Sequence, residues 1–150
     1  MATVIDRDLG WKRIVAELTA VDGKAVKVGV LSDAGSEAGG QSLASVATYN
    51  EFGTSRGIPP RPFMAQTFET RNREISEFIA KQKDAVLDGK ATFSGALGKI
   101  GEKYKGMIQR EIASGGFAAN APATIRQKGS SKPLIDTGRL RQSINWELET

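Results

Sequence analysis

The side chains that could do chemistry in this chain are mainly carboxylates and lysines, because its 150 residues include no histidine and no cysteine. Zinc fingers, Ser-His-Asp catalysis and Cys-His catalysis all require one of those residue types, so these classes are excluded. Glu74 and Glu77 fall on the polar face of a predicted helix, where solvated charge explains them better than acid–base catalysis. The spacing of the candidate carboxylate ligands of a divalent cation indicates no metal site; these are Asp33, Glu37, Glu51 and Asp136. The sequence therefore predicts no enzyme, no cofactor and no bound metal.

Neither glycine-containing segment that could be taken for a phosphate-binding loop has the residues of one. The loop Ser32–Gln41 lacks the Gly-Lys-Ser/Thr signature, and the charges of Asp33 and Glu37 would repel phosphate. The later pair Gly89-Lys90 is followed by alanine where that loop requires serine or threonine. Nucleotide binding by this route is therefore not expected.

Basic residues are concentrated near the carboxyl end of a chain whose net charge is +4. Between residues 103 and 145, only Glu111 and Asp136 oppose the basic side chains Lys103, Lys105, Arg110, Arg126, Lys128, Lys132, Arg139 and Arg141. Such a segment could face nucleic acid or an acidic protein surface, and solvated charge explains it as well. Stacking aromatic residues are not interleaved with it, and no DNA-reading motif is present. A basic nucleic-acid-binding protein remains the alternative function.

Hydrophobic periodicity predicts one α+β domain over residues 1–150, in which a small antiparallel sheet packs against two long helices. Helices are expected over 8–19, 43–52, 63–87, 93–114 and 139–143, so that short helices lie near both ends of the chain. Val26, Val28 and Val30 alternate in a strand over 24–31, and a strand over 145–150 is expected to pair antiparallel with it. Residues 115–132 are expected to form a long loop. No segment has the length and composition of a membrane span or a signal peptide.

The helix over 93–114 contains four glycines, each of which lowers helix propensity by about 0.8–1.0 kcal/mol relative to alanine; they are Gly95, Gly98, Gly101 and Gly106. Two explanations are open. Either another backbone approaches the helix closely, or the helix is ordered mainly by packing and assembly.

A proline-rich elbow separates the helices over 43–52 and 63–87. Gly53 occupies a position where a helix end is expected, and Pro59, Pro60 and Pro62 exclude regular structure after it. Phe63 is expected to hold the second helix against the core. Arg56 and Arg61 are expected to remain on an exposed rim.

Two segments carry a resemblance to a known family. Residues 49–54 and 58–63, YNEFGT and IPPRPF, resemble the small tail-completion or neck proteins of Mu-like and lambdoid tailed bacteriophages. Residues 133–144, PLIDTGRLRQSI, are similar to the L-x-D-T-G-x-L-x-x-S-I motif of the phage virion-morphogenesis family. The order and spacing of the two segments fit the length of the chain.

The resemblance implies a structural virion protein that completes the tail or joins it to the head. It implies a ring of identical subunits, six-fold in the virion, that contacts other neck or tail proteins. DNA would pass through the channel without sequence-specific contacts, and no membrane is involved. The protein would be located in the virion and, during assembly, in the host cytoplasm.

The residues expected to determine assembly lie in these two segments: Arg56, Ile58, Pro59, Pro60, Arg61, Phe63, Asp136, Thr137, Gly138, Arg139 and Arg141. Asp136 or Thr137 is expected to cap the helix over 139–143, from which the two arginines project. The acidic loop Ser32–Gln41 and the basic residues 126–141 are candidates for the two complementary surfaces of a ring. The alternative is that both segments only stabilise the monomer.

Overall fold

The computed structural model describes residues 7–37, 39–129, 131–134 and 138–149. Its elements are α1 (Trp11–Ala20), β1 (Ala25–Val30), α2 (Leu43–Phe52), α3 (Phe63–Leu87), α4 (Phe93–Ser114), α5 (Pro122–Lys128), α6 (Arg139–Ser143) and β2 (Ile144–Glu149). The predicted α+β class is confirmed, because a two-stranded antiparallel sheet packs against helices.

The two strands pair in the predicted antiparallel sense, with Val28 opposite Trp146 and Val30 opposite Ile144. A two-stranded sheet is at best marginally stable alone. Here it packs on α4, which also contacts α3 along its length and so connects the sheet to the long helix. The main core forms where these elements meet and contains Ala47, Phe63, Ile108, Ile112, Leu134, Leu140 and Ile144.

Two of the glycines of α4 are explained by the sheet. A Cβ atom at Gly101 would lie 2.8 Å from ring atoms of Trp146 and from Cγ2 of Val26, and one at Gly98 would lie 3.1 Å from the same indole. The indole Nε1 donates a hydrogen bond to Glu102 Oε2 at 2.7 Å. Close approach therefore explains Gly98 and Gly101, and the approaching group is a side chain and not a backbone.

The prediction of a loop over residues 115–132 is wrong in one respect, because this segment contains the short helix α5. Pro122 occupies the first turn, and Gly129 ends the helix in the left-handed conformation at φ 68°. Proline near the start and glycine just past the end are the usual terminal signals of a helix. Both were visible in the sequence, but the helix that they delimit has only seven residues, too few to show an apolar periodicity.

Helix α1 is attached to the rest of the molecule by polar contacts. The Arg13 guanidinium donates to the carbonyl oxygens of Val86 and Leu87 at 2.9 and 2.7 Å, at the carboxyl end of α3. A Glu17 carboxylate oxygen accepts from the Phe93 N–H at 2.8 Å, at the start of α4. No residue of α1 is buried. Across the described residues, no helix combines the length and apolar composition of a membrane span.

Candidate assembly surfaces

The elbow between α2 and α3 begins with a backbone turn that only glycine accommodates. Gly53 has φ 73°, and a Cβ there would lie 2.8 Å from the Ile58 carbonyl oxygen and 2.9 Å from the Pro60 nitrogen. The Thr54 N–H donates to that Ile58 oxygen at 2.9 Å, which closes the turn. The chain therefore folds back on itself at Gly53, and residues 54–60 project from the point of reversal.

Glu51 caps the long helix across the elbow. Pro62, at the N-cap position of α3, supplies no side-chain acceptor. Instead, the Glu51 carboxylate accepts hydrogen bonds from the Met64 N–H at 3.0 Å and the Ala65 N–H at 2.9 Å. A carboxylate at a helix amino terminus satisfies free donors and interacts favourably with the helix dipole. In the sequence, Glu51 was considered only as a candidate metal ligand, and no metal site was predicted. Its capping role was missed because its hydrogen-bond donors lie on another helix.

The prediction that Arg61 lies on an exposed rim is wrong, since only 6% of the residue is exposed. Its Nε donates to the Ala118 carbonyl oxygen at 2.8 Å, and its Nη2 donates to the Ala119 oxygen and to Asn120 Oδ1, both at 3.2 Å. Nη1 donates to Asn50 Oδ1 at 3.2 Å. The guanidinium thus joins α2 to the segment before α5.

The physical reason for this burial is the proline sequence. The Arg61 N–H donates to the Asn50 carbonyl oxygen at 2.6 Å, so the elbow is hydrogen-bonded to the end of α2 at this residue. Arg61 then points inward between two prolines, and its donors meet carbonyl and amide oxygens. Burial lowers the pKa of the guanidinium from its ordinary value. Arg61 is therefore a structural cross-link within the chain.

The exposed rim of the elbow consists of Arg56, Ile58, Pro59 and Pro60, all of which are exposed. Phe63 is fully buried, which confirms that it holds α3 to the core and means that it is no surface residue. The first motif therefore divides into a buried half that fixes the elbow and an exposed half that is free to contact a partner.

The second motif divides in a similar way. Asp136 and Thr137 lie outside the described residues, so their predicted capping role stays a prediction. Gly138 occupies the N-cap position of α6 with φ 78°, where the left-handed conformation favours glycine. Leu140 is buried in the core, whereas Arg139 and Arg141 are exposed.

Arg139 contacts the acidic loop of its own chain. Its Nη1 donates to the Ser36 carbonyl oxygen at 2.9 Å. The loop Ser32–Gln41 and the basic residues 126–141 were predicted to supply the two complementary surfaces of a ring. Arg139, near the end of that basic stretch, lies beside the loop in the same molecule, because α6 packs against α2, which follows the loop.

Several of the remaining charged candidates are paired within the chain. Lys103 Nζ donates to Glu74 Oε1 at 2.6 Å, and Arg73 Nε to Glu77 Oε1 at 2.9 Å. Lys105 Nζ lies 3.3 Å from Asn145 Oδ1. Within the described ranges, no group of three or more carboxylates is arranged to hold a metal ion. These contacts reduce the basic surface that nucleic acid could meet.

An exposed apolar stripe lies on α1 and on the residue pair before it. In the predicted helix over 8–19, one broad apolar face was expected, made of Leu9, Ile14, Val15 and Leu18 with Trp11 at its edge. Ile14 is half-buried in the structure, whereas 90% of Leu9 and 70% of Trp11 is exposed, and Val15 and Leu18 are exposed as well. The stripe lies on the helix side away from Arg13 and Glu17, which hold α1 to the molecule. Apolar residues at helical spacing show that a face is to be covered, but not whether the same chain covers it.

Comparison of the chain with protein-family models, with curated proteins and with solved structures gives no match.

Proposed function

We propose that this chain is a structural virion protein of a tailed bacteriophage, which completes the tail or joins it to the head. It acts by assembling into a ring and by contacting other neck or tail proteins. The observation that carries the proposal is the exposed apolar stripe formed by Trp11, Val15 and Leu18 of α1 together with Leu9 just before the helix. A contiguous apolar surface of this kind marks a contact with another molecule.

The elbow gives independent support to the same proposal. Its charged side chains Glu51 and Arg61 make hydrogen bonds within the chain. Those bonds hold Ile58, Pro59 and Pro60 in a fixed and exposed position. A preordered rim suits binding, because little conformational entropy is lost when a partner covers it.

In this proposal the protein is part of the virion, six copies form a ring around the tail axis, and DNA passes through without sequence-specific contacts. The ring is formed from subunits made in the host cytoplasm. Mass measurement and electron cryo-microscopy of particles from a phage that encodes the chain test this arrangement. One copy per particle would contradict the ring, and absence from the particle would contradict the proposal itself.

The stripe is tested by substituting Trp11→Glu and Leu18→Glu together. Both side chains are exposed, so the variant is expected to keep its melting temperature. In phage production it is expected to yield unjoined heads and tails. Lys12→Glu is the matched control, because it adds negative charge to the same helix outside the stripe. Normal infectious yield from the double variant would show that α1 contacts no virion partner.

A further inference from the structure

A cavity lies at the base of the elbow, where residues of α2, the elbow and the start of α5 meet. Its volume is about 240 Å³, and its lining includes Asn50, Arg61 and Asn120. Among the described residues of this lining, Arg61 is the only charged one, and only 6% of it is exposed. The cavity therefore has one positive charge in its wall and no negative charge beside it.

The guanidinium of Arg61 forms part of the cavity wall. Its Nη1 donates to Asn50 Oδ1 and its Nη2 to Asn120 Oδ1, both at 3.2 Å, and both amides line the cavity. Nε and Nη2 also donate to the carbonyl oxygens of Ala118 and Ala119. A guanidinium has five N–H donors, so these four bonds leave one on Nη1. Within the described ranges, that donor has no acceptor.

The buried charge of Arg61 has hydrogen bonds but no counter-ion. Its four acceptors are neutral oxygens, and no carboxylate of the described residues forms an ion pair with it. Glu51, the carboxylate of the elbow, is bonded instead to the N–H groups of Met64 and Ala65. A buried charge is costly unless a group of opposite charge accompanies it. The site therefore favours an anion that comes from outside the chain.

The composition of the cavity selects a carboxylate among anions. One guanidinium balances a single negative charge, whereas a phosphate dianion needs further basic residues, which the described lining lacks. Tyr49 and Thr124 line the same cavity, and their hydroxyl groups make no hydrogen bond within the part of the chain that the structure describes. These hydroxyls are donors for the second oxygen of a carboxylate. Ile58 and Pro59 are apolar and suit the methylene groups that carry it.

We propose that this cavity binds the side-chain carboxylate of an aspartate or glutamate from a partner protein, with Arg61 as its counter-ion. Ile58 and Pro59 belong to both the cavity lining and the exposed rim of the elbow. The acidic side chain therefore enters as the partner covers that rim. For the identity of the partner, a neck or tail protein, the inference rests on the proposed function.

Binding is tested on the purified full chain with N-acetylglutamate amide as the probe and N-acetylglutamine amide as its neutral counterpart. Nuclear magnetic resonance follows the Nε–H signal of Arg61 at neutral pH and constant ionic strength. The glutamate probe is expected to shift this signal to saturation, and the glutamine probe is expected to leave it in place. Inorganic phosphate and chloride are titrated in the same way.

A carboxylate built into the cavity is expected to replace the bound one. Thr124→Glu introduces it from α5, so this variant should bind the glutamate probe about tenfold more weakly or worse. Ala123→Glu adds the same charge at the neighbouring exposed position, outside the cavity lining, and is expected to bind like the unmodified chain. Thr124→Gln has the size of the glutamate variant without its charge. Thr124→Glu is expected to melt at a higher temperature than both controls, because only its carboxylate meets the buried guanidinium.

The outcomes separate this inference from the proposed function. Equal shifts with the two probes, or equal responses to phosphate and to the glutamate probe, would overturn the carboxylate site. Unchanged probe binding by Thr124→Glu would overturn it as well. None of these results bears on a virion ring, which the particles decide. Conversely, absence of the protein from phage particles would contradict the proposed function and leave a measured carboxylate site in place.

Discussion

At the scale of single residues, Arg61 is the best test of how the elbow is held. Arg61→Lys retains the charge but loses the planar guanidinium, whose three nitrogens donate hydrogen bonds to four oxygens. Buried acceptors without partners destabilise the folded state, so we expect the free energy of unfolding to fall by about 1–3 kcal/mol. Urea denaturation measures the change.

Arg56→Lys is the matched control, because Arg56 is exposed on the same elbow. Its effect on the free energy of unfolding is expected to be less than about 0.5 kcal/mol. Equal effects at the two positions would show that the hydrogen bonds of Arg61 contribute nothing to stability.

At the scale of elements, the glycines of α4 provide a paired prediction. Gly101→Ala would place a Cβ 2.8 Å from Trp146 and Val26, so we expect a loss of about 1–3 kcal/mol from overpacking. Gly106 has open space within 4 Å, so Gly106→Ala is expected to gain about 0.5–1 kcal/mol from helix propensity. Thermal unfolding should therefore shift in opposite directions, and a shared sign would contradict the assigned packing of the sheet on α4.

The contact between α3 and α4 predicts a pH dependence. A hydrogen bond from Lys103 lowers the pKa of the Glu74 carboxyl below its ordinary value of 4.5. A lowered pKa in the folded state stabilises the protein above the ordinary value, and this stabilisation is lost as pH falls through the lowered pKa. The unmodified chain is therefore expected to be more stable than Glu74→Gln at neutral pH. The difference in free energy of unfolding between the two proteins should vanish in acid.

Glu77→Gln serves as the control for that experiment, because Glu77 pairs with Arg73 on the same helix and leaves the contact between α3 and α4 intact. Denaturant titrations of the three proteins across the acidic range make the comparison. A Glu74→Gln difference that is independent of pH would mean that packing, and not the ionised carboxylate, is responsible.

At the scale of the whole molecule, the exposed arginines of α6 test whether the second motif contacts a virion partner. Arg141 is exposed, so Arg141→Glu is expected to change the free energy of unfolding by less than about 0.5 kcal/mol. During phage production it should yield unjoined heads and tails. Lys81→Glu, at an exposed position of α3, is the control for the change in charge.

Adding Arg139→Glu to Arg141→Glu tests in addition how Arg139 holds the loop of its own chain. Arg139 holds the Ser36 carbonyl within its own chain, so its replacement also disturbs the loop Ser32–Gln41. We therefore expect the double variant to become more sensitive to proteolysis in that loop, whereas Arg141→Glu alone does not. Normal particles from both variants would assign the motif to monomer stability only.

Local patterns in the sequence were sufficient for most of the fold. The bounds of α2, α3 and α4 follow from 3.6-residue periodicity ended by glycine, proline or a capping residue, and Val26, Val28 and Val30 reveal β1 by strict alternation. These signals are short-range, so they need no knowledge of what packs on the element. Phe63 was placed in the core for the same reason.

Only the tertiary structure decided where the charged and apolar side chains are used. Arg61 and Glu51 carry no local sign of burial or capping, because their acceptors and donors lie on segments distant in sequence. The stripe on α1 has the periodicity of a core face, yet Arg13 and Glu17 turn the opposite side toward the protein. Periodicity determines that an apolar face exists, and long-range contacts decide whether it is buried in the monomer or left for a partner.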